Sequence, residues 1–191
     1  MLIGYFFEEG SVYTRELIDR GELARRGSDL HLLQTMEPRE LVDKGAKAQQ
    51  AYVDFMKKHD VRVVNMSWGG SVKGYEEALE LCNIGKTADE RKAIAREYFD
   101  IELAAFKKAI ASAPDILFVT SAGNSNSDAT VVEAYPAGVV APNMISVGAV
   151  DKAGDEASFT SYGPTVAVHA NGYQVESLIP GGETLAESGT S

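Results

Sequence analysis

The decapeptide DILFVTSAGN, residues 115–124, and its counterpart VRVVNMSWGG, residues 61–70, decide the fold class. Each is a run of β-branched and large apolar residues that breaks at glycine. Val61 to Met66 stops before Trp68-Gly69-Gly70, and Asp115 to Ser121 stops before Ala122-Gly123. Runs this continuous in apolar side chains predict strands buried on both faces of a parallel sheet. Parallel neighbours need a long crossover, and the residues between the two runs have helical periodicity. Helix is expected from Tyr75 to about Ser112, in two pieces split near Asn83–Gly85. In its later part Ala95, Phe99, Leu103, Phe106 and Ile110 form one apolar stripe, with Lys92, Arg96, Glu97, Lys107 and Lys108 outside it. Upstream, Pro38 suits a first helical turn, and Leu41, Ala48, Tyr52, Phe55 and Met56 recur at helical spacing, which predicts a core-packing helix. The order helix–strand–helix–strand is that of an α/β protein.

Beyond Asn124 the character changes. Strand candidates at Met144–Val150, Ser158–Ser161, Val166–Ala170 and Val175–Ile179 are separated by Pro and Gly turns, so the last third is expected to be rich in β-structure and loops. At the other end, residues 2–7 are apolar and β-prone, whereas 11–36 mix charges with scattered Leu and read as helical turns and loops. A length of 191 residues argues for one domain, two at most. With 45% hydrophobic and 24% charged residues the composition is that of a globular protein. Lys and Arg number 18 against 28 Asp and Glu, a formal charge of −10, which argues against nucleic acid or an anionic membrane as partner. No apolar run approaches the ~18 residues of a membrane span. MLIGYFF lacks a basic flank and runs into Glu8-Glu9, so it reads as a strand and not as a secretion signal. Cys82 is the sole cysteine; it excludes an intrachain disulfide and is expected to be a small buried core residue.

Three glycine-punctuated strings carry the chemistry: NMSWGG at 65–70, TSAGNSNS at 120–127 and SGTS at 188–191. The first two follow strands, and ligands of open α/β sheets bind outside the carboxyl ends of the strands, so both are expected to line one crevice. Gly69 and Gly123 permit close approach of another backbone. Asn124 offers an amide donor of the kind that stabilises an oxyanion. No strand is followed by a phosphate-cradling Gly-x-Gly-x-x-Gly, which disfavours a nucleotide-binding domain.

Taken in order, VRVVNMSWGG, DILFVTSAGN, NMISVGAVDKAGDEASFTSYGP and the closing SGTS resemble successive blocks of the subtilisin-like serine peptidases, the subtilases, over roughly residues 40–191. Residues 1–36 match only loosely, and 37–191 read as a partial peptidase domain ending at Gly-Thr-Ser. The resemblance implies a three-layer α/β/α fold with a mainly parallel sheet, present incompletely, and a serine endopeptidase acting on peptide or protein substrates. It implies Ser191 as the nucleophile that forms an acyl-enzyme and Asn124 as the oxyanion-hole asparagine. Ser67, Trp68 and Gly69 fall on the segment that pairs with an extended substrate, and Ser121, Ala122 and Gly123 on the opposite wall of the specificity pocket.

The chain also departs from the family. Its Asp followed by Ser/Thr-Gly and its His-Gly-Thr-His helix are missing: His31, His59 and His169 stand in other contexts. The triad's Asp and His are therefore expected outside these residues, the chain being an internal segment that is inactive alone and either marginally stable or self-associating. The rival expectation is a non-catalytic peptide-binding or scaffold remnant of the same fold. His169 is expected to be packed or at the surface, and Ser188 stands where relatives often have Asn. No cofactor is expected. Asp128 and Glu133 lie near Asn126 without a regular calcium-ligand loop, so any structural calcium would belong to a longer parent. An extracellular or periplasmic location is favoured by the resemblance only.

Overall fold

The computed structural model describes residues 38–179 and 181–191; the strand expected at 2–7, the turns expected at 11–36 and His31 lie outside them. The helix expected from Pro38 is α1, Pro38–Lys58. It stops where Asp60 adopts left-handed backbone at φ 52° and the Val61 N–H donates back to the Met56 carbonyl at 3.0 Å. Helix α2, Val72–Leu81, closes by the same device: Asn83 has φ 55° and the Ile84 N–H reaches the Leu79 carbonyl at 2.8 Å. Asp and Asn tolerate this conformation better than other side chains, which fixes both stops in the sequence. Helix α3, Ala88–Ala111, starts on a Thr87 cap whose hydroxyl accepts the Glu90 N–H at 3.1 Å, while the Glu90 carboxylate accepts the Lys86 N–H at 2.7 Å. The split between α2 and α3 is where Asn83–Gly85 predicts it.

Of the described residues, 38–55 with 72–109 form one compact unit, and 56–71 with 110–191 another. In the first, Ala95, Phe99 and Phe106 of the α3 stripe are buried. Tyr75 meets Phe99 edge-on at 6.3 Å, and the Gln49 amide donates to the Glu102 carbonyl at 3.4 Å. The expected stripe of α1 is corrected: Val42 and Val53 are buried, whereas Tyr52 and Phe55 are exposed, Phe55 by 61%. Adjacent stripes both satisfy helical spacing and differ by a rotation of about 100°, so periodicity alone does not choose between them. Cys82 is likewise corrected, being exposed in the turn after α2 and outside the core.

In the second unit β1 (Val63–Met66), β3 (Leu117–Ser121), β5 (Met144–Val150) and β6 (Val166–Asn171) form a parallel sheet in the order β1-β3-β5-β6. The expected mainly parallel α/β sheet is thus present. Two further strands, β2 (Gly70–Ser71) and β4 (Ala134–Tyr135), pair antiparallel just past the end of β1. Met66, Phe118, Thr120, Met144 and Ser146 share a buried sheet face. The other face corrects the expectation of strands covered on both sides: Val63 is 60%, Val168 50% and Leu117 38% exposed. An apolar run shows that a strand has two greasy faces; it does not supply a cover for both.

Asn143 ties this sheet to the chain entering it. Its amide nitrogen donates to the carbonyls of Ile110, Ala113 and Ile116 at 3.1, 2.9 and 3.2 Å, and its own carbonyl accepts the Phe118 N–H at 2.8 Å. Orphan carbonyls at a helix end are thereby satisfied next to the first residues of two strands. Ser158–Ser161, expected as a strand, is a turn closed by the Thr160 N–H on the Ala157 carbonyl at 2.9 Å. The Thr160 hydroxyl accepts the Ala149 N–H at 2.9 Å, so a side chain takes the place of a ladder partner. The strand expected at Val175–Ile179 is β7 (Val175–Leu178), which forms an exposed hairpin with β8 (Thr184–Glu187). Strand β8 was not foreseen, although Gly181 and Gly182, both at positive φ, mark its turn.

Candidate active site

The strings NMSWGG and TSAGN emerge side by side from β1 and β3, whose register pairs Met66 with Thr120. Both are at the carboxyl ends of parallel strands. Ser121 closes β3, and Ala122 is buried with its N–H donated to the Val147 carbonyl at 2.9 Å. Gly123 has φ 105°, and a side chain there would lie 3.1 Å from the Ser161 hydroxyl. Its carbonyl accepts the Ser161 N–H at 2.8 Å, so the turn needs glycine for conformation and for room.

The third string is brought to the second by Thr190. The Thr190 N–H and the Thr190 hydroxyl both donate to Asn124 Oδ1, each at 2.9 Å, and the same hydroxyl accepts the Gly123 N–H at 3.1 Å. A backbone N–H can only donate, so this pair of bonds settles which end of the Asn124 amide is oxygen. Asn124 is exposed and its NH₂ donates to no described residue. Gly189 anchors the approach through its N–H on the Gly172 carbonyl at 2.9 Å. A Cβ on Gly172 would collide with the Gly189 carbonyl, so the backbones touch at a separation that only glycine allows. Ser191 follows directly; it is exposed, and its hydroxyl has no hydrogen bond among the described residues.

On the β1 side Ser67 is exposed and its hydroxyl accepts from the Asn65 amide at 3.0 Å. Trp68, half-buried, stands edge-on to Tyr135 with ring centroids 5.8 Å apart at 84°, and a Cβ on Gly69 would lie 3.3 Å from the Tyr135 carbonyl. All eight residues singled out from the sequence thus lie in one compact unit: Ser67 to Gly69 and Ser121 to Gly123 at two adjacent strand ends, Asn124 and Ser191 joined through Thr190. Sequence reasoning missed Thr190, Ser161 and Tyr135. The threonine had a signal, its place between Gly189 and Ser191; the other two act from segments remote in sequence.

His169 is packed over Gly148, with Nε2 3.6 Å from the Glu156 carboxylate. It has no bond to Ser191. Among the described residues no three His, Cys, Asp or Glu side chains gather into a group that could hold a metal ion. Asp128 Oδ1 accepts the Thr130 N–H at 2.9 Å and the Thr130 hydroxyl at 2.5 Å, which holds its carboxyl below the usual carboxylate range.

The family model described as "Subtilase family" matches residues 36–191. The chain belongs to the subtilase family. Among this subtilase's relatives, Subtilisin of Bacillus pumilus is 41% identical over 85 residues, which are 44% of this chain and 30% of that protein. Subtilisin-like protease 6 of Trichophyton rubrum is 33% identical over 143 residues, 69% of this chain and 33% of that one. A solved structure described as a cold adapted subtilisin-like serine proteinase superposes with a TM-score of 0.50 at 26% identity, covering 76% of this chain and 42% of the other. The match spans about a third of the length of the two named relatives. No helix among the described residues is long and apolar enough to cross a membrane.

Proposed function

We propose that this chain carries the nucleophile, an oxyanion donor and the substrate edges of a serine endopeptidase. The observation that carries the proposal is the Asn124 amide, turned by Thr190 so that its NH₂ faces outward. In the reaction, Ser191 Oγ bonds to the peptide carbonyl carbon while its proton passes to a base. The carbonyl electron pair moves onto oxygen, where the Asn124 NH₂ donates to it. The C–N bond then breaks as the amine takes the proton from the base, and water repeats the sequence on the acyl-ester. Ser67, Trp68 and Gly69 pair with the substrate backbone, and Ser121, Ala122 and Gly123 leave room for a side chain.

The base and its orienting Asp come from polypeptide outside these 191 residues. Ser191 without them is an ordinary hydroxyl, so the isolated chain hydrolyses no peptide. Export to the extracellular space or periplasm belongs to the same proposal and rests on the family alone. The rival reading is a peptide-binding remnant of the same fold, in which no base activates Ser191. The adjoining coding sequence separates the two, since a peptidase needs an Asp-Ser/Thr-Gly and a His-Gly-Thr-His block there. In the protein that includes them, a fluorophosphonate probe is expected to modify Ser191. An unmodified Ser191 would leave the binding reading standing.

A further inference from the structure

Asn171 closes β6 and Gly172 follows it, the sole Asn-Gly step among the six asparagines of the chain. An asparagine side chain reacts with the next backbone nitrogen when that nitrogen is unshielded, and glycine has no Cβ to shield it. Asn171 is exposed, and its side chain is turned along the chain, Oδ1 accepting the Tyr173 N–H at 3.4 Å. The ring closed by this bond contains the Gly172 nitrogen, which draws Cγ toward it, and the donated N–H polarises the amide carbonyl. Lys152 is held at the same turn: its ammonium donates to Gln174 Oε1 at 2.9 Å and lies 5.6 Å from the Tyr173 ring centre. A cation there favours loss of the Gly172 amide proton. One bond restrains that nitrogen, the Gly172 N–H on the Val150 carbonyl at 3.2 Å. It lies beyond the final register pair of β5 and β6, Val150↔Asn171, and element ends open before their centres.

The backbone at Gly172 has no slack. Its carbonyl accepts the Gly189 N–H at 2.9 Å, and a Cβ on it would stand 2.6 Å from the Ala149 side chain as well as striking the Gly189 carbonyl. Gly189 leads into Thr190, whose donors hold Asn124 and whose hydroxyl accepts the Gly123 N–H. An atom added to the chain beside Gly172 therefore falls on the contact that seats Thr190.

We propose that Asn171 is a site of spontaneous deamidation and that its isoaspartyl product unseats Thr190 from Asn124. The Gly172 nitrogen, having given its proton to hydroxide, bonds to Asn171 Cγ. The Cγ–Nδ2 bond breaks, and the amide nitrogen leaves as ammonia with a proton from water. Water then adds to one of the two carbonyls of the five-membered imide, and the bond from that carbonyl to the Gly172 nitrogen breaks. Opening at Cγ leaves an ordinary aspartate. Opening at the backbone carbonyl leaves a chain that runs through Cβ and Cγ, one atom longer, which breaks the bond to Val150 and carries Gly172 away from Gly189. The inference holds whichever reaction the site performs.

The test follows the folded 191-residue chain in mildly alkaline buffer by intact mass and peptide mapping, beside the same chain in denaturant. In the folded chain a gain of about one dalton is expected to map to Asn171 before any other asparagine, at a rate proportional to hydroxide, and to create a substrate for isoaspartyl methyltransferase. Asn171→Gln, whose imide would need a six-membered ring, and Asn171→Ser, which has no amide, should both abolish it. In the aged chain the Gly189, Thr190 and Gly123 amides are expected to exchange hydrogen about tenfold faster than in the fresh one. No gain in the folded chain, a gain confined to denaturant, or one that begins at another asparagine would overturn the inference. So would modified chain whose three amides exchange at the fresh rate.

Discussion

Asn124 depends on a neighbour 66 residues away for its direction. Two donors from Thr190 hold its oxygen, so loss of either residue acts on the same proposed oxyanion donor. In a hydrolytically competent protein, Asn124→Ala is expected to lower kcat by about 10²–10³ with little change in KM, the magnitude known for a subtilisin's own asparagine donor. Thr190→Val keeps the backbone N–H but removes one donor to Asn124 and the acceptor of the Gly123 N–H. It should lower kcat by about tenfold, KM again little changed, in steady-state assays of one peptide substrate. The motif was legible in the sequence; the direction of the amide was not, because it comes from a pairing between distant segments. Asp128 is a second such residue, its carboxyl held low by the Thr130 hydroxyl first and the Thr130 N–H next. A group with a depressed folded pKa contributes stability above its unfolded pKa and loses it as pH falls through the folded value. Thr130→Val should therefore raise the Asp128 titration midpoint in carbon-13 NMR and move acid unfolding to higher pH.

At the scale of elements, Asn143 is the most consequential polar side chain outside the site, since one amide serves the carbonyls of Ile110, Ala113 and Ile116. Asn143→Ala should cost about 1–3 kcal/mol in denaturant titration, because buried acceptors lose their donor. Asn143→Asp should not rescue it, having no N–H to give. Elements whose identity rests on local composition were legible: β1, β3 and β5 from their apolar runs, the α2–α3 break from Asn83–Gly85. Those decided by partners were not. Ser158–Ser161 alternates like a strand, but Thr160 spends its hydroxyl on Ala149. Strand β8 has weak propensity of its own and exists through its pairing with β7.

For the molecule as a whole, the expected consequence of the one-sided sheet is association. Val63, Leu117 and Val168 are exposed on the same face, and β1 is an edge of the sheet as described. Exposed apolar faces and open edges recruit other chains. Sedimentation velocity of the chain is expected to show mass increasing with concentration, and Val63→Lys with Val168→Lys to restore a monomer. A monomer with the original side chains at all concentrations would remove this expectation. The composition had forecast a globular chain, and that holds for both units; which sheet face stays open depends on what packs there, a property no run of residues encodes by itself. The Thr190 link to Gly123 and Asn124 has a kinetic side as well. It joins segments 66 residues apart, and closing that loop costs little more than the 54-residue separation of Met66 and Thr120 in the β1–β3 pairing. Sheet and site are thus expected to form together, and hydrogen exchange at the Gly123 and Thr190 amides, both consumed by the link, becomes a clock for the moment the site closes.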